Sequence, residues 1–304
     1  MPGYERIGRR HRRDRHGQTK DRSGRRMTPE YEIGMLWVEG PLSYVEQLCI
    51  QSFLDAGHDV TLYHYGAVSN VPAGVTVRHG SAILDRDRFI SHARTGSMAL
   101  FSDVFRYHML RRQAGMIWAD TDAYCLRPFT SDTGHFFGWK SAHHINGGVL
   151  GLPHDSPALA GLLEMTEDEY GIPFWYGEGA QARLRARAEA GDPVHVGDLP
   201  WGAWGPHAVT AWLHRTGEDA HAFDREVLYP VPFQNRRQMV KAGKRAQAEA
   251  CLTDRTLSIH LYGRRIRDFL AQRPGGLPDE DGLIGHLLKK HRIDPQAAPI
   301  PARG

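Results

Sequence analysis

The chain has 304 residues, 41% hydrophobic and 24% charged, an ordinary globular composition that suffices for one large domain or two small ones. No apolar run approaches the ~20 residues of a membrane helix, and the basic N-terminus lacks the apolar segment of a secretory signal. Cys49, Cys125 and Cys251 are odd in number, far apart and without CxxC spacing, so they exclude a disulfide framework or cysteine zinc site and read as free thiols of a reducing cytosol.

The net charge of +3 hides an asymmetry. Residues 1–26 hold nine Arg and one Lys against three acids, a net +7, which leaves 28 basic and 32 acidic residues, a net −4, in 27–304. This arm lacks apolar periodicity, so residues 1–29 are expected to be a disordered basic segment. It reads either as a tether to anionic lipid head groups or nucleic acid, or as an extension without a role. Met27 opens MTPEYEIGMLW, a natural alternative start.

In chain order, residues 32–38 (EIGMLWV) predict a strand that ends in a turn at Glu39-Gly40-Pro41. Leu42–Ala56 predicts a helix with Leu48, Ile50, Phe53 and Leu54 apolar and Gly57 as its stop. Strands follow at Asp59–Tyr65 and at 75–80, and strand-helix-strand implies a parallel pair. Ser97–Gly115 is the most strongly patterned helix: Leu100, Phe101, Val104, Phe105 and Met109 share one arc. A strand then runs from Gly115 to Ala119, and another is expected at Gly147–Leu152. Helices are expected at Pro157–Met165, Gln181–Ala190 and His207–Arg215. Short strands are expected at Glu226–Leu228 and Leu257–His260, then a helix over Asp281–His291 and a Pro/Ala tail. This order predicts an α/β fold with a mixed, mostly parallel central sheet flanked by helices. Ligands of such sheets sit at the carboxyl ends of the strands.

The apolar strand MIWA leads into Asp120-Thr121-Asp122. If the strand continues, alternation points both carboxylates to one face, where they repel unless a cation lies between them. Oxygen ligation suits Mg²⁺ or Mn²⁺. Asp85-Arg86-Asp87 and Asp279-Glu280-Asp281 repeat the pattern in polar surroundings and read as solvated charge. A metal-dependent phosphohydrolase of the haloacid-dehalogenase kind also follows an apolar strand with two aspartates, but Tyr124 stands where that family has Thr or Val.

The longer string SDVFRYHMLRRQAGMIWADTDAYCLRPF, residues 102–129, resembles the DXD-containing sugar-nucleotide glycosyltransferases of the Och1-like mannosyltransferase and α-1,4-galactosyltransferase group. The match falls on Ser102, Asp103, Arg106, Tyr107, Gly115, Asp120 and Asp122. Further stretches resemble the family's opening strand (MLWVEGPL), its Asn-Gly stretch (INGGVLGLP), its Gly-Pro motif (WGAWGPHAVTAWL), its late aromatic-Pro segment (LYPVPF) and its closing His segment (SIHLYGRR).

The resemblance implies a GT-A fold over residues 30–268, with a C-terminal helix and Pro/Ala tail at 269–304. It also implies Mn²⁺ or Mg²⁺, a nucleotide-sugar donor (UDP-galactose, UDP-glucose or UDP-N-acetylglucosamine), a glycan or glycoconjugate acceptor, and retention of anomeric configuration. It assigns Asp122 and His260 to the metal, Asp120 to the ribose or, through water, to the metal, and Asp103 and Arg106 to donor-sugar hydroxyls. Trp37 falls near the uracil ring, with Trp118 and Asn146 beside the donor. Each assignment has a plainer alternative: an i, i+3 surface ion pair for Asp103 and Arg106, a structural histidine for His260, a core aromatic for Trp37. Trp175, Tyr176, Trp201 and Trp204 suit either a sugar face or the core. No general base stands out, which fits front-face attack. The expected location is the cytoplasm, with peripheral contact at the inner membrane face through the arm and no nucleic-acid partner. A silent nucleotide-sugar or glycan-binding module is the competing class.

Overall fold

In the computed structural model of the protein, residues 31–85, 87 and 89–300 are described, so the basic arm lies outside them. The first half runs β1 (Glu32–Leu36), β2 (Gly40–Pro41), α1 (Tyr44–Ala56), β3 (Val60–His64), β4 (Val68–Ser69), β5 (Thr76–His79), α2 (Ala99–Arg112), β6 (Met116–Ala119), β7 (Ala123–Cys125), β8 (Phe136–Ser141) and β9 (His144–Gly151). The second half runs α3 (Pro157–Met165), α4 (Glu178–Glu189), α5 (Pro206–Thr216), α6 (Arg225–Leu228), α7 (Arg245–Glu249), β10 (Ser258–His260), α8 (Gly263–Leu270) and α9 (Leu283–His291).

The central sheet has the order β5-β3-β1-β6-β9-β8. β5, β3, β1 and β6 are parallel, while β9 and β8 are antiparallel, so the mixed, mostly parallel α/β architecture expected from sequence is present. β6 is buried along its whole length, which explains its uninterrupted apolar sequence. A separate antiparallel pair joins β7 to β10, in the register Ser258 with Cys125 and His260 with Ala123.

Local chemistry sets the helix ends. Ser43 caps α1 in a reciprocal box with Glu46, and Gly57 closes it in the left-handed conformation at φ 98°. α2 buries the expected arc of Leu100, Phe101, Val104, Phe105 and Met109. It also buries the opposite arc, including Asp103 and Arg106, because β9 and the turn before α5 cover it. α9 packs Leu283, Ile284, Leu287 and Leu288 into a core shared with α1. A hydrogen-bond chain adds to this: Tyr124 Oη lies 2.8 Å from His291 Nε2, and His291 Nδ1 lies 2.6 Å from Asp55 Oδ2.

One expectation needs correction, and two elements were not expected. Glu226–Leu228 is not a strand but part of the short helix α6, since so brief an apolar run carries no period to separate the two. α8 was not expected, because GRRIRDFL shows few apolar positions, although Ile266 and Leu270 share its buried face. β8 went unseen beside its longer partner β9. Among the described residues, no helix is long and apolar enough to cross a membrane.

Candidate active site

β6 delivers the first carboxylate at its carboxyl end. The Asp120 N–H still donates to Gly148 of β9 at 2.7 Å, as the last rung of that ladder. The strand does not continue to Asp122 as expected. Ala123 N–H donates to the Asp120 carbonyl at 2.9 Å, so Asp120-Thr121-Asp122 is a turn. The two carboxylates converge through that turn and not through strand alternation.

β10 supplies the third group. Its antiparallel pairing with β7 sets His260 opposite Ala123, one residue after Asp122. Ligand atoms of Asp120, Asp122 and His260 lie within 4.8 Å of one another. The chain then turns sharply at Tyr262, a non-glycine residue at φ 56°. Left-handed backbone of this kind is costly and persists where the surroundings enforce it. Here they do: the Tyr262 N–H donates to His260 Nδ1 at 3.0 Å, and the Gly263 N–H donates to Asp122 Oδ2 at 2.6 Å.

These bonds leave specific atoms over. Asp122 Oδ1 is buried without a hydrogen-bond partner. A Cβ added at Gly148 would sit 3.1 Å from Asp120 Oδ2, 3.1 Å from His260 Nε2 and 3.2 Å from Asn146 Nδ2, so three polar side chains converge on a point that only glycine leaves open. An orphaned carboxylate oxygen beside a polar cradle fits a hard divalent cation. With Nδ1 accepting from Tyr262, the neutral His260 ring carries its proton on Nε2. The two carboxylates are therefore the ready ligands, and His260 would join through Nε2 only as its other neutral tautomer, with the proton on Nδ1 and the bond from Tyr262 given up.

Arg106 ties this centre to α2. Its Nη2 lies 3.1 Å from Asp103 Oδ1 and 3.4 Å from Asp120 Oδ1, and its Nη1 donates to the Gly147 carbonyl at 2.5 Å. Asp103 and Arg106 are each 6% exposed, so the surface ion pair is excluded. Asp103 is pushed up to about 6 by burial, against the pull of Arg106 and with the push of Asp120. Asp120 is also raised, by burial first, then by Asp122, against Arg106. Gly205, before α5, approaches Asp103 so closely that a Cβ there would lie 2.7 Å from its Oδ2.

The remaining expected residues take distinct positions. Trp118 is 1% exposed and reaches the site through its Nε1, which donates to Asp120 Oδ1 at 2.8 Å. Asn146 lies half-buried beside the Gly148 cradle, with Tyr229 donating to its carbonyl at 3.3 Å. Trp37 stands at the end of β1, hydrogen-bonded to the Gly40 carbonyl, with Arg267 5.8 Å from its ring centre. Arg267 and Tyr229 escaped the sequence reading. Arg267 pairs with the fully buried Glu46, and its Nη1 passes close to the same Gly263 that holds Asp122. Nothing in its stretch of sequence marks Arg267 apart from Arg264 and Arg265.

No family model and no curated protein matches the chain. Solved structures do. The PaToxG glycosyltransferase is 13% identical over 63% of this chain and 72% of its own, with a TM-score of 0.41. Mouse xyloside xylosyltransferase 1 in its apo form is 12% identical over 76% and 96%, with a TM-score of 0.37. A structure described as a transferase mutant is 13% identical over 56% and 88%, with a TM-score of 0.33.

Proposed function

We propose that the chain is a GT-A type, metal-dependent, retaining glycosyltransferase of the Och1-like and α-1,4-galactosyltransferase group. It moves a hexose from a UDP-sugar (galactose, glucose or N-acetylglucosamine) to a glycan or glycoconjugate acceptor. The observation that carries the reading is the convergence of Asp120, Asp122 and His260 around a buried, partnerless carboxylate oxygen at the end of a parallel strand.

Asp120, Asp122 and His260 would hold Mn²⁺ or Mg²⁺. When bound, the cation neutralises the nucleoside diphosphate leaving group. Arg106 orients Asp120 from behind and, with Asp103, offers hydrogen bonds to donor-sugar hydroxyls. Asn146 faces the same cradle, and Trp37 would stack on the uracil base. Attack from the front face, with the departing phosphate taking the acceptor proton, needs no second flanking carboxylate of the glycosidase kind. The enzyme works in the cytoplasm, and its +7 arm suits contact with anionic lipid at the inner membrane face.

The test is donor hydrolysis. Incubated with Mn²⁺ and a panel of UDP- and GDP-sugars, the protein should release UDP from one donor. Asp122→Asn should cut the rate by about 10²–10³. Release of inorganic phosphate would instead indicate a phosphohydrolase. Metal-dependent binding without release would indicate a silent module.

A further inference from the structure

A cavity of about 740 Å³ lies beside the carboxylate centre, within the size range of small-molecule sites. None of Asp103, Arg106, Asp120, Asp122 or His260 lines it. One face of α5 forms its floor, through His207, Thr210, Ala211 and His214 at i, i+3, i+4, i+7. Trp139 of β8 and Trp175 and Tyr176, in the loop before α4, form aromatic walls.

The cavity is joined to the carboxylate centre by β9. His144 lines the cavity, Asn146 follows on the same face, and Gly148 opens the polar cradle. Four residues of strand set the two about 13 Å apart. Thr210 fixes the floor to this strand, because its Oγ1 accepts from the Ile145 N–H at 3.0 Å.

The walls define a chemistry. Aromatic faces pack on the C–H faces of sugar rings. No Asp, Glu, Lys or Arg lines the cavity among the described residues. The rings of His144 and His207 lie 5.2 Å apart. Burial, then the neighbouring Lys140 and histidine charges, hold both below the ordinary histidine value, so near pH 7 each presents a neutral ring with one donor and one acceptor.

We propose that this cavity binds the acceptor and that the acceptor is an uncharged glycan, stacked on Trp139, Trp175 and Tyr176 and hydrogen-bonded by His144 and His207. The inference rests on the glycosyl-transfer reading above.

The full chain, applied without metal or donor to a printed panel of neutral and anionic glycans, tests it. Neutral glycans should retain the wild-type protein and Trp201→Ala, which removes an exposed tryptophan outside the cavity. Ala211→Trp, which fills the cavity, and Trp175→Ala should each weaken retention about tenfold or more while circular dichroism remains native. Retention by anionic glycans alone, retention indifferent to both cavity variants, or no retention at all would overturn the proposal. Donor hydrolysis by the wild type separates the two readings. A chain that splits a donor but meets an empty panel loses the cavity assignment alone. A chain that binds neutral glycans but splits no donor keeps the glycan site and loses the transfer reading.

Discussion

Asp103 and Glu218 leave nearly the same fraction of their surface exposed, 6% and 8%, yet their acidities move in opposite directions. Burial pushes both carboxyls up. Asp103 has Arg106 against this, but shares it with Asp120, whose own charge pushes Asp103 further up, to about 6. Glu218 is held below the ordinary value by hydrogen bonds from Ser156, His135, Thr216 and the Ala158 N–H. The Ala158 bond, at 2.7 Å, comes from the first turn of α3, where the helix dipole adds its pull. Glu218 thus pins α3, the end of α5 and His135 together, with its oxygens saturated. Asp103 keeps bonding capacity beside the cluster of Asp120, Asp122 and His260. Donor count, together with the deeper burial of Asp103, separates a carboxylate saturated by the fold from one with bonding capacity left over.

This contrast can be broken by substitution. Arg106→Met leaves Asp103 and Asp120 buried without their shared cation and should cost about 3–5 kcal/mol in urea unfolding of the metal-free protein. A loss near zero would mean that the carboxyls simply take up protons. Glu218→Gln forfeits charge-assisted bonds to three segments and should cost about 1.5–3 kcal/mol at pH 7. Its pH signature follows from its sign. The folded value lies below the unfolded 4.5, so the contribution is complete above that value and is lost as pH falls through the folded value. The glutamine variant should therefore lose less stability than wild type on acidification below about 4.5.

Asp103→Asn should do the reverse on the neutral side. The folded value near 6 exceeds the unfolded 3.8, so the aspartate favours the fold fully below 3.8, and that advantage is lost as pH rises through about 6. In EDTA, the wild type should lose on the order of 2 kcal/mol more than the asparagine variant between pH 4 and 7. Equal slopes would remove the under-satisfied carboxylate from the contrast.

How much of this was legible in the sequence differs by region. β1, β3 and β6 carry apolar runs and α2 an apolar arc, and the string around Asp120 stands out against the two polar copies of its tripeptide. The burial of Asp103 and Arg106 was not legible. It depends on a turn at Trp204-Gly205, about a hundred residues downstream, whose Trp204 carbonyl takes the Tyr107 hydroxyl. The aromatic residues Trp175, Tyr176, Trp201 and Trp204 looked like one cluster and divide three ways. Trp204 is core, Trp201 is 47% exposed, and Trp175 and Tyr176 line the cavity. Period reports which face is apolar but not what tertiary neighbour covers it. The convergence at Asp122 was expected for the wrong local reason, since a turn and a continuing strand share the same three letters.

The pairing of β7 with β10 has a consequence for synthesis. Asp120 and Asp122 leave the ribosome well before Ser258–His260, and the Gly263 N–H that steadies Asp122 follows later still. Closing so long a stretch of chain is slow compared with local contacts. A nascent or truncated chain therefore carries the acidic turn beside Arg106 but without His260 and without the Gly263 N–H. On the proposed metal-dependent reading, only a chain translated through residue 263 would gain the stability that cation binding adds.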